Sequence, residues 1–321
     1  MRADPGAAPP TIGPGPSTAE TAVDGATPAI TEDKGPAAGL AFALGAFGLW
    51  GLSPAYWKLL AHVAPFEVLA HRVVWSVLLL GGFMVQGSRL PNLFRALKSW
   101  RVVLALVVTS ALISVNWVTF IWAVSVGRVL ETSLGYFMNP LISVALGFLV
   151  LGERLNRAQT IAILLACAGV INLTWALGVP PWISLMLAVS FGLYGLVRKV
   201  LPVGALEGLF AETVVVLPVA VGYLAWMAFA GGASFGTMGI WTNLFLIFSG
   251  PVTVVPLLLF GLAARRLRLS TLGLTQYSAP TIHFVLAVWA FGEAITGAHL
   301  VTFALIWSGL AVFTTDSLRR R

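Results

Sequence analysis

Long apolar runs separated by short polar connections dominate the chain from residue 37 onward. Ten of them have roughly the 20 residues that a helix needs to cross a bilayer. They cover approximately 37–59, 66–86, 101–126, 130–151, 156–175, 181–200, 206–228, 239–262, 269–291 and 297–316. The runs are continuous rather than alternating, and an open sheet cannot satisfy its backbone polar groups in lipid. The pattern therefore predicts an all-α integral membrane protein with ten transmembrane helices.

The second half of the chain repeats the first at a constant offset of 140 residues. We weight the charged, proline and glycine matches, because identities among apolar residues arise easily by chance. The offset places Glu67 on Glu207, Lys58 on Arg198, Arg128 on Arg268, Pro140 on Pro280, Gly152-Glu153 on Gly292-Glu293, and Gly169 on Gly309. Each half holds five runs, and an odd number reverses the direction of the second copy. A 5+5 inverted repeat is typical of transporters, whose sites lie where the copies meet.

The basic residues lie mostly in short connections, which predicts the orientation of the helices. With the N-terminus inside, the cytoplasmic connections and tails hold 16 Lys and Arg residues, whereas the outer side keeps only Lys58, Arg72 and Arg128. By the positive-inside rule, both termini are predicted to be cytoplasmic. The predicted organisation is a disordered cytoplasmic tail over 1–36, five-helix repeats over 37–176 and 177–316, and a basic cytoplasmic tail over 317–321.

Composition agrees with a chain that is solvated mainly by lipid. Charged residues make up 10% of the sequence, against about 25% in a soluble domain. The formal net charge of +7 is better explained by membrane topology than by a nucleic-acid partner. The single cysteine, Cys167, excludes an internal disulfide and a cysteine metal cluster, and neither a metal ion nor a cofactor is predicted. Small residues from Ala166 to Gly169 can pack within one chain or in a homodimer, and both states stay open.

Polar and aromatic residues at membrane depth are the candidate functional residues. Arg72 lies about 9 Å inside the second run at 1.5 Å per residue, where a charge should face a cavity or a partner. Pro140 and Pro280 fall at mid-span and predict helix kinks that free carbonyl groups. Interhelical hydrogen bonding is the alternative role for the polar candidates. The predicted substrate-binding set is His71, Arg72, Trp75, Asn116, Trp117, Tyr136, Asn139, Gln276, Tyr277 and His283, with Trp50 and Tyr56 as candidate neighbours.

Two opposite charges at equivalent depths predict gates. The offset matches Arg72, near the outer side, with Glu212, near the cytoplasmic side. We expect Arg72 to pair with Glu131 outside, and Glu212 to pair with Lys199 or Arg268 inside. The alternative is that Arg72 and Glu212 merely extend to the membrane interface.

Motifs for catalysis are nearly absent. The stretch Gly232-Ala-Ser234-Phe-Gly236 matches the serine-hydrolase pattern, but it lacks a preceding strand and a visible acid–histidine pair, so we interpret it as a coincidence. The four histidines are scattered, and P-loop and zinc-protease motifs do not occur. An intramembrane lipid-modifying enzyme would need converging acid and base groups. A non-transporting scaffold or sensor would gain nothing from mid-span prolines. The enzyme and the scaffold or sensor are the two alternatives to a transporter.

Several strings together resemble the RarD group of EamA-type transporters. They are GLSPAYWKLL (51–60), EVLAHRVVWS (67–76), SVNWVTFIWAVSVGRVLETSLGYFMNPLISVALGFLVLGERL (114–155), SFGLYGLVRK (190–199), LTQYSAPTIHFVLAVWAFGE (274–293) and HLVTFALIW (299–307). The resemblance covers about residues 37–316 and implies the drug/metabolite transporter superfamily, with ten helices, a 5+5 inverted repeat and alternating access. The group name is associated with chloramphenicol sensitivity. His283 stands where glutamine is common in such proteins, which leaves a pH-dependent role for it open.

These features predict a multi-pass secondary transporter of the bacterial inner (plasma) membrane. Its expected substrate is a small organic metabolite or drug-like compound that is moved outward, and the lipid bilayer is its environment. Proton coupling stays open. Glu212, His71 and His283 are the titratable candidates, because a buried carboxylate or a histidine can titrate near neutral pH.

Overall fold

The long apolar runs form helices in the computed structural model, since a helix satisfies its own backbone hydrogen bonds without water. The structure describes residues 36–319 apart from 153, 265, 268–270 and 273–274. Its helices are α1 (Pro36–Leu59), α2 (Pro65–Gln86), α3 (Leu90–Ala96), α4 (Trp100–Ser125), α5 (Val129–Leu151), α6 (Arg157–Leu177), α7 (Trp182–Val200), α8 (Ala205–Phe229), α9 (Ile240–Ala264), α10 (Ser278–Val285) and α11 (Gly297–Arg319). A π-helical stretch, Leu286–Ala290, continues α10.

Nine of the described helices are long and apolar enough to cross a membrane, by length and composition. They are α1, α2, α4 to α9 and α11, and they agree with nine of the ten predicted runs. The predicted run 269–291 differs, because its described apolar helix, Ser278–Ala290, is shorter than a spanning helix. The prediction of an all-helical membrane protein is confirmed, with nine candidate spans and one shorter apolar helix.

Pro280 explains why that run is interrupted. Gln276 and Tyr277 form a turn, and α10 begins at Ser278. Because Pro280 has no backbone N–H to bond the Gln276 carbonyl, a regular helix cannot continue through this point. Pro280 therefore lies in the first turn of α10, directly after the turn at Gln276 and Tyr277. Pro140 lies inside α5, as predicted.

Helices α6 and α11 approach each other closely through glycines. A Cβ atom added to Gly169 of α6 would lie 3.3 Å from the Thr302 carbonyl oxygen, and one added to Gly309 of α11 would lie 2.9 Å from the Ala162 carbonyl oxygen. The Thr302 hydroxyl donates a hydrogen bond to the Gly169 carbonyl at 3.1 Å. Small residues are what allow two backbones to come this near in a membrane.

The first and second halves of the chain share one apolar core. Helix α1 packs on α9 and α10, α2 on α8 and α9, α4 on α7 and α8, α5 on α7 and α10, and α6 on α11. Leu134 and Leu187 from α5 and α7, and Leu246 and Phe303 from α9 and α11, are almost completely buried in it. The helices of the two halves are therefore interleaved rather than segregated.

Two glutamates related by the offset mark the two ends of the bundle. Glu67, in the first turn of α2, is fully buried. Its carboxylate accepts hydrogen bonds from Ser234 N, Ser234 Oγ and Phe235 N at 2.7, 2.8 and 3.3 Å. Glu207, in the first turn of α8, accepts a hydrogen bond from Arg89 at 3.3 Å. We name these the Glu67 end and the Glu207 end.

Candidate functional site

Arg72 of α2 is a buried arginine enclosed by aromatic rings. Its exposed fraction is 9%, and its Cζ lies 3.9 Å from the ring centroid of Trp117 and 5.4 Å from that of Trp57. Tyr56 and Tyr136 lie within electrostatic range of the guanidinium. None of the described carboxylates pairs with it, and its Nε has no hydrogen-bond partner. The rings attract the cation through their faces and leave its in-plane N–H donors available.

The polar residues at the start of α2 lie in two neighbouring stripes along the helix surface. Glu67 and His71 are four residues apart and share one stripe, whereas Arg72 belongs to the next. The first stripe faces the connection between α8 and α9, where the His71 ring lies 4.9 Å from the Phe235 ring. The structure therefore does not bring His71 together with Arg72, because adjacent helical residues point in different directions.

Tyr136 of α5 lies in a group of rings with Phe120 of α4 and His283 of α10. The three centroid separations are 5.5 to 5.6 Å. His283 Nε2 lies 3.0 Å from the Trp50 carbonyl oxygen of α1. A carbonyl only accepts, so Nε2 carries the proton in this contact. Arg72 interacts electrostatically with Tyr136, which links this group to the arginine and its rings.

Asn116 and Trp75 were predicted to contact substrate, but the structure gives them contacts between helices. The Asn116 side-chain N–H donates to the Leu187 carbonyl at 2.9 Å and to Ser190 Oγ at 3.0 Å, which ties α4 to α7. Trp75 lies against Gly250 of α9. These placements match the alternative role that interhelical packing and hydrogen bonding provide.

Asn139, Gln276 and Tyr277 lie farther along α5 and in the turn before α10. The Tyr277 ring stacks on Phe137 at a centroid distance of 6.5 Å. The Asn139 backbone carbonyl accepts a hydrogen bond from Ser143, while its buried Oδ1 has no partner among the described residues. No described contact joins these three residues to Arg72. The predicted members that the structure brings together are Arg72, Trp117, Tyr136 and His283.

Sequence comparison places these residues in a family context. The sequence profile of the EamA-like transporter family matches residues 37–175. A protein named RarD from Streptomyces exfoliatus is 45% identical over 281 residues, which make up 88% of this chain and 89% of that protein. The chain belongs to the RarD group of the EamA-like transporter family. An uncharacterized transporter of Vibrio cholerae serotype O1 is 43% identical to this chain over 281 residues, 88% of this chain and 93% of the relative.

A solved crystal structure resembles the fold of this RarD-group chain. It superposes with a TM-score of 0.55 at 20% sequence identity and covers 87% of this chain and 97% of its own. At that identity the likeness concerns the fold alone. Membership of the family makes this chain a multi-pass membrane transporter with bacterial relatives, and not an enzyme.

The ion pairs of this RarD-group chain differ from those predicted. Glu131 pairs with Arg128, so the predicted contact between Arg72 and Glu131 is wrong. Arg128 immediately precedes α5 and lies three residues before Glu131, so it reaches the carboxylate locally, at little conformational cost. Arg72 is on another helix and lies against tryptophan rings.

Glu212 of α8 is buried and contacts two residues of α7. The Tyr194 hydroxyl donates to Glu212 Oε2 at 3.1 Å, and Arg198 Nε lies 3.7 Å from Oε1. Tyr194 and Arg198 are four residues apart and so share one face of the helix. The sequence predicted Lys199 or Arg268 as the partner of Glu212. The structure pairs it with Arg198, one helical position before Lys199, while Arg268 lies outside the described residues.

Sequence reasoning missed the role of Glu293, which precedes α11. Its two carboxylate oxygens accept hydrogen bonds from Val129 N and Leu130 N at 2.6 and 2.7 Å, at the start of α5. Free N–H groups at a helix start favour such an anion. Burial raises the pKa of Glu293, while these N–H groups and nearby Lys58 oppose the rise. Glu67 has a comparable loop-binding role. The repeat offset was the available signal, since it matches both glutamates and Lys58 to charged equivalents.

Ser234 in the G-x-S-x-G stretch has acidic and histidine neighbours that the sequence did not reveal. Its hydroxyl donates directly to Glu67 Oε2 at 2.8 Å, and His71 stacks on the adjacent Phe235. A serine hydrolase requires the histidine to stand between serine and acid. The histidine here contacts a ring instead, so the cluster fastens the connection between α8 and α9 to α2.

Proposed function

We propose that this chain exports a small organic metabolite or drug-like compound across the bacterial inner membrane, as a secondary transporter. Alternating access would arise from movement between two five-helix repeats, 37–176 and 177–316. The observation that carries the proposal is Arg72, a buried cation with ring faces around it and in-plane donors to spare. An intramembrane charge without a counter-ion is typical of a substrate path. Its described neighbours are rings of the first repeat, and one of them, Tyr136, contacts His283 of the second.

Reciprocal glycine contacts support the repeat. Gly169 meets Thr302, and Gly309 meets Ala162. The offset of 140 residues converts Ala162 into Thr302 and Gly169 into Gly309, so each contact is the image of the other. Such reciprocity is the mark of a two-fold relation.

The helix pairs follow the same exchange. The pair α1–α9 is matched by α7–α4, α2–α9 by α8–α4, and α5–α7 by α10–α1. Gly152 and Gly292, 140 residues apart, both have left-handed φ angles, +66° and +65°. If the run predicted over 269–291 is the ninth crossing, each repeat has five crossings, which inverts the second repeat.

The distribution of basic residues supports one orientation of the bundle. We place the Glu207 end and both tails, 1–36 and 317–321, in the cytoplasm. Arg89, Arg95 and Lys98 lie between α2 and α4 at the Glu207 end, as the positive-inside rule expects for a cytoplasmic connection. The Glu67 end then faces outward.

The charged contacts at the two ends are the proposed gates. On the cytoplasmic side, Glu212 joins α8 to Arg198 and Tyr194 of α7. On the outer side, Glu293 binds the start of α5 beside a cavity of about 200 Å³ that Glu131 and Glu293 both line. Opening either side would separate these partners. Glu212 is the first candidate for proton coupling, because its release from Arg198 would favour protonation; His71 and His283 are the others.

Flux measurements in proteoliposomes test this function. Purified full-length protein would be screened against small carboxylic acids, amino acids and amphenicols, with and without a pH gradient. We expect saturable flux that the gradient accelerates. Arg72→Gln should lower it about tenfold or more, in line with the loss of a charge-assisted hydrogen bond, while Arg157→Gln, an exposed arginine of α6, should leave it unchanged.

Glu212→Gln separates coupling from transport. We expect it to remove the response to the pH gradient while solute exchange without a gradient continues. A gradient response that survives this substitution would exclude Glu212 as the coupling group. Equal flux in Arg72→Gln and the unaltered protein would place the substrate path elsewhere, and no saturable flux of any compound in the panel would contradict the assigned substrate range.

A further inference from the structure

We infer that Arg72 binds the carboxylate of a monoanionic acid with an aromatic or apolar body, and that the site selects against zwitterionic amino acids. This inference rests on the proposed function, in which Arg72 lies on the substrate path. It narrows the substrate from small organic compounds in general to one chemical class.

Charge balance points to an anion. Each described carboxylate already has a partner away from Arg72: Glu67 binds Ser234, Glu131 binds Arg128, Glu207 binds Arg89, Glu212 binds Arg198, Glu293 binds Leu130, and Asp316 binds Asn156. Arg72 is 9% exposed. A buried charge with no counter-ion is strongly unfavourable, so the bound state should supply one.

The geometry of the guanidinium favours a carboxylate. The guanidinium lies over the Trp117 ring, with Cζ 3.9 Å from the ring centroid. A stacked guanidinium keeps its edge N–H groups free, and two parallel N–H donors fit the two oxygens of a carboxylate. One guanidinium balances a single negative charge, whereas a phosphate dianion would keep an uncompensated charge in the membrane.

The surrounding walls favour a flat or apolar body. Trp57, Trp117 and Phe120 present rings toward this part of the bundle, and aromatic bodies stack well on such surfaces. Tyr56 donates its hydroxyl to the Phe245 carbonyl, so its polar end is already engaged. Recognition would therefore consist of one ionic contact and a large apolar one, as is usual for small-molecule sites.

The same surroundings disfavour an α-ammonium group. The titratable groups that interact electrostatically with Arg72 are the phenols of Tyr56 and Tyr136. His283, which contacts Tyr136, uses Nε2 on the Trp50 carbonyl and leaves Nδ1 without a partner among the described residues, but a neutral acceptor cannot balance the charge of an ammonium group. No described carboxylate is near to balance an ammonium, which would also lie beside the guanidinium. Amino acids should therefore bind more weakly than the acids that lack the amino group.

Three ligands that share one carbon skeleton test the inference: 3-phenylpropionate, its amide, and phenylalanine. Binding to the purified full-length protein would be measured by isothermal titration calorimetry. We expect the amide and phenylalanine to bind about 10- to 100-fold more weakly than the acid, the range for loss of a charge-assisted contact. Arg72→Gln should weaken the binding of the acid by a similar factor and abolish the difference in affinity between acid and amide. Arg72→Lys should fall between, because an ammonium lacks the planar fork.

Two controls separate binding from folding. Arg157→Gln should leave the affinity for all three ligands unchanged. Arg72→Gln should melt at the same temperature as the unaltered protein or higher, because it removes an unpaired buried charge. Two results together would assign Arg72 a structural role and overturn the inference. Arg72→Gln would melt at a lower temperature, which Arg72→Lys restores, and Arg72→Gln would still bind the acid in preference to the amide.

The other outcomes are equally decisive. Equal affinity for acid and amide overturns the carboxylate contact, and equal affinity for acid and phenylalanine overturns the selection against zwitterions. No binding of any of the three, together with Arg72-dependent flux of a different compound class in proteoliposomes, rejects the substrate class while the transporter proposal stands.

Discussion

Arg72 and Trp117 form the closest cation–ring contact in the described part of the chain, with Cζ 3.9 Å from the ring centroid. The two residues come from α2 and α4. The contact places the guanidinium over the ring without an acidic partner among the described residues, so the charge is stabilised but not neutralised. That combination is suited to a site that must bind an anion and later release it.

Replacing Trp117 should weaken binding according to how much of the ring remains. Trp117→Phe keeps a smaller ring, and we expect the affinity for 3-phenylpropionate to fall a few-fold. Trp117→Ala removes the ring, and a loss of about tenfold or more is expected from the size of desolvated cation–π contacts. Calorimetry on the purified variants measures both, and an unchanged affinity in Trp117→Ala would contradict the contact's role.

Glu67 should control the stability of the connection between α8 and α9. Glu67→Gln leaves too few acceptors for Ser234 and Phe235, so we expect a loss of about 1–3 kcal/mol and faster hydrogen exchange at residues 234–235. Ser234→Ala removes only the hydroxyl bond and should cost about 1 kcal/mol. Exchange that is equally slow in the Glu67→Gln variant and in the unaltered protein would show that the carboxylate does not hold this segment.

Helix α2 illustrates what the sequence could predict and what it could not. Its apolar length was sufficient to identify a membrane helix, as it was for nine spans, because the bilayer imposes length and apolarity directly. The direction of each side chain was not readable, since a membrane helix is apolar on its lipid face as well as its protein face and carries little periodic signal. The sequence therefore could not show that His71 and Arg72 have different neighbours.

The ion-pair partners of Glu212 and Glu131 were not readable either, because they too depend on the direction of each side chain. Selecting Arg198 over Lys199 depends on the helical phase of α7 against α8, which only packing fixes. Trp57 was missed because its approach to Arg72 is a contact between helices. The interruption of the ninth run at Gln276 and Tyr277 could have been predicted from Pro280, which cannot donate a backbone hydrogen bond.

The two glycine contacts of α6 and α11 should differ in their tolerance of a methyl group. Gly309→Ala would place its Cβ 2.9 Å from the Ala162 carbonyl oxygen, against 3.3 Å from the Thr302 carbonyl oxygen for Gly169→Ala. We expect both to destabilise, by about 1–3 kcal/mol for overpacking, and Gly309→Ala to be the worse. Thermal unfolding in detergent gives the order, and the reverse order would contradict the described packing.

Glu293 should make stability depend on pH. Burial raises its pKa above the ordinary value of 4.5, against the opposing N–H groups of Leu130 and Val129. The folded protein then binds this proton more tightly than the unfolded chain does. The resulting contribution is fully present below pH 4.5 and is lost as the pH rises through the raised pKa.

Comparison with Glu293→Gln isolates this titration. The melting temperature of the unaltered protein minus that of the variant should decrease as the pH rises from 4.5 through the raised pKa. A difference that stays constant over this window, or that increases, would show that burial does not dominate at Glu293.

The most direct test of alternating access is the accessibility of the Arg72 site from both sides of the membrane. Cys167 is the single cysteine, so Tyr136→Cys in a Cys167→Ala background reports on the site alone. An impermeant thiol reagent would be applied to right-side-out and to inverted vesicles. Alternating access predicts labelling from both sides, slowed by 3-phenylpropionate in each case. Labelling from one side only, or from neither, would contradict alternating access at this site.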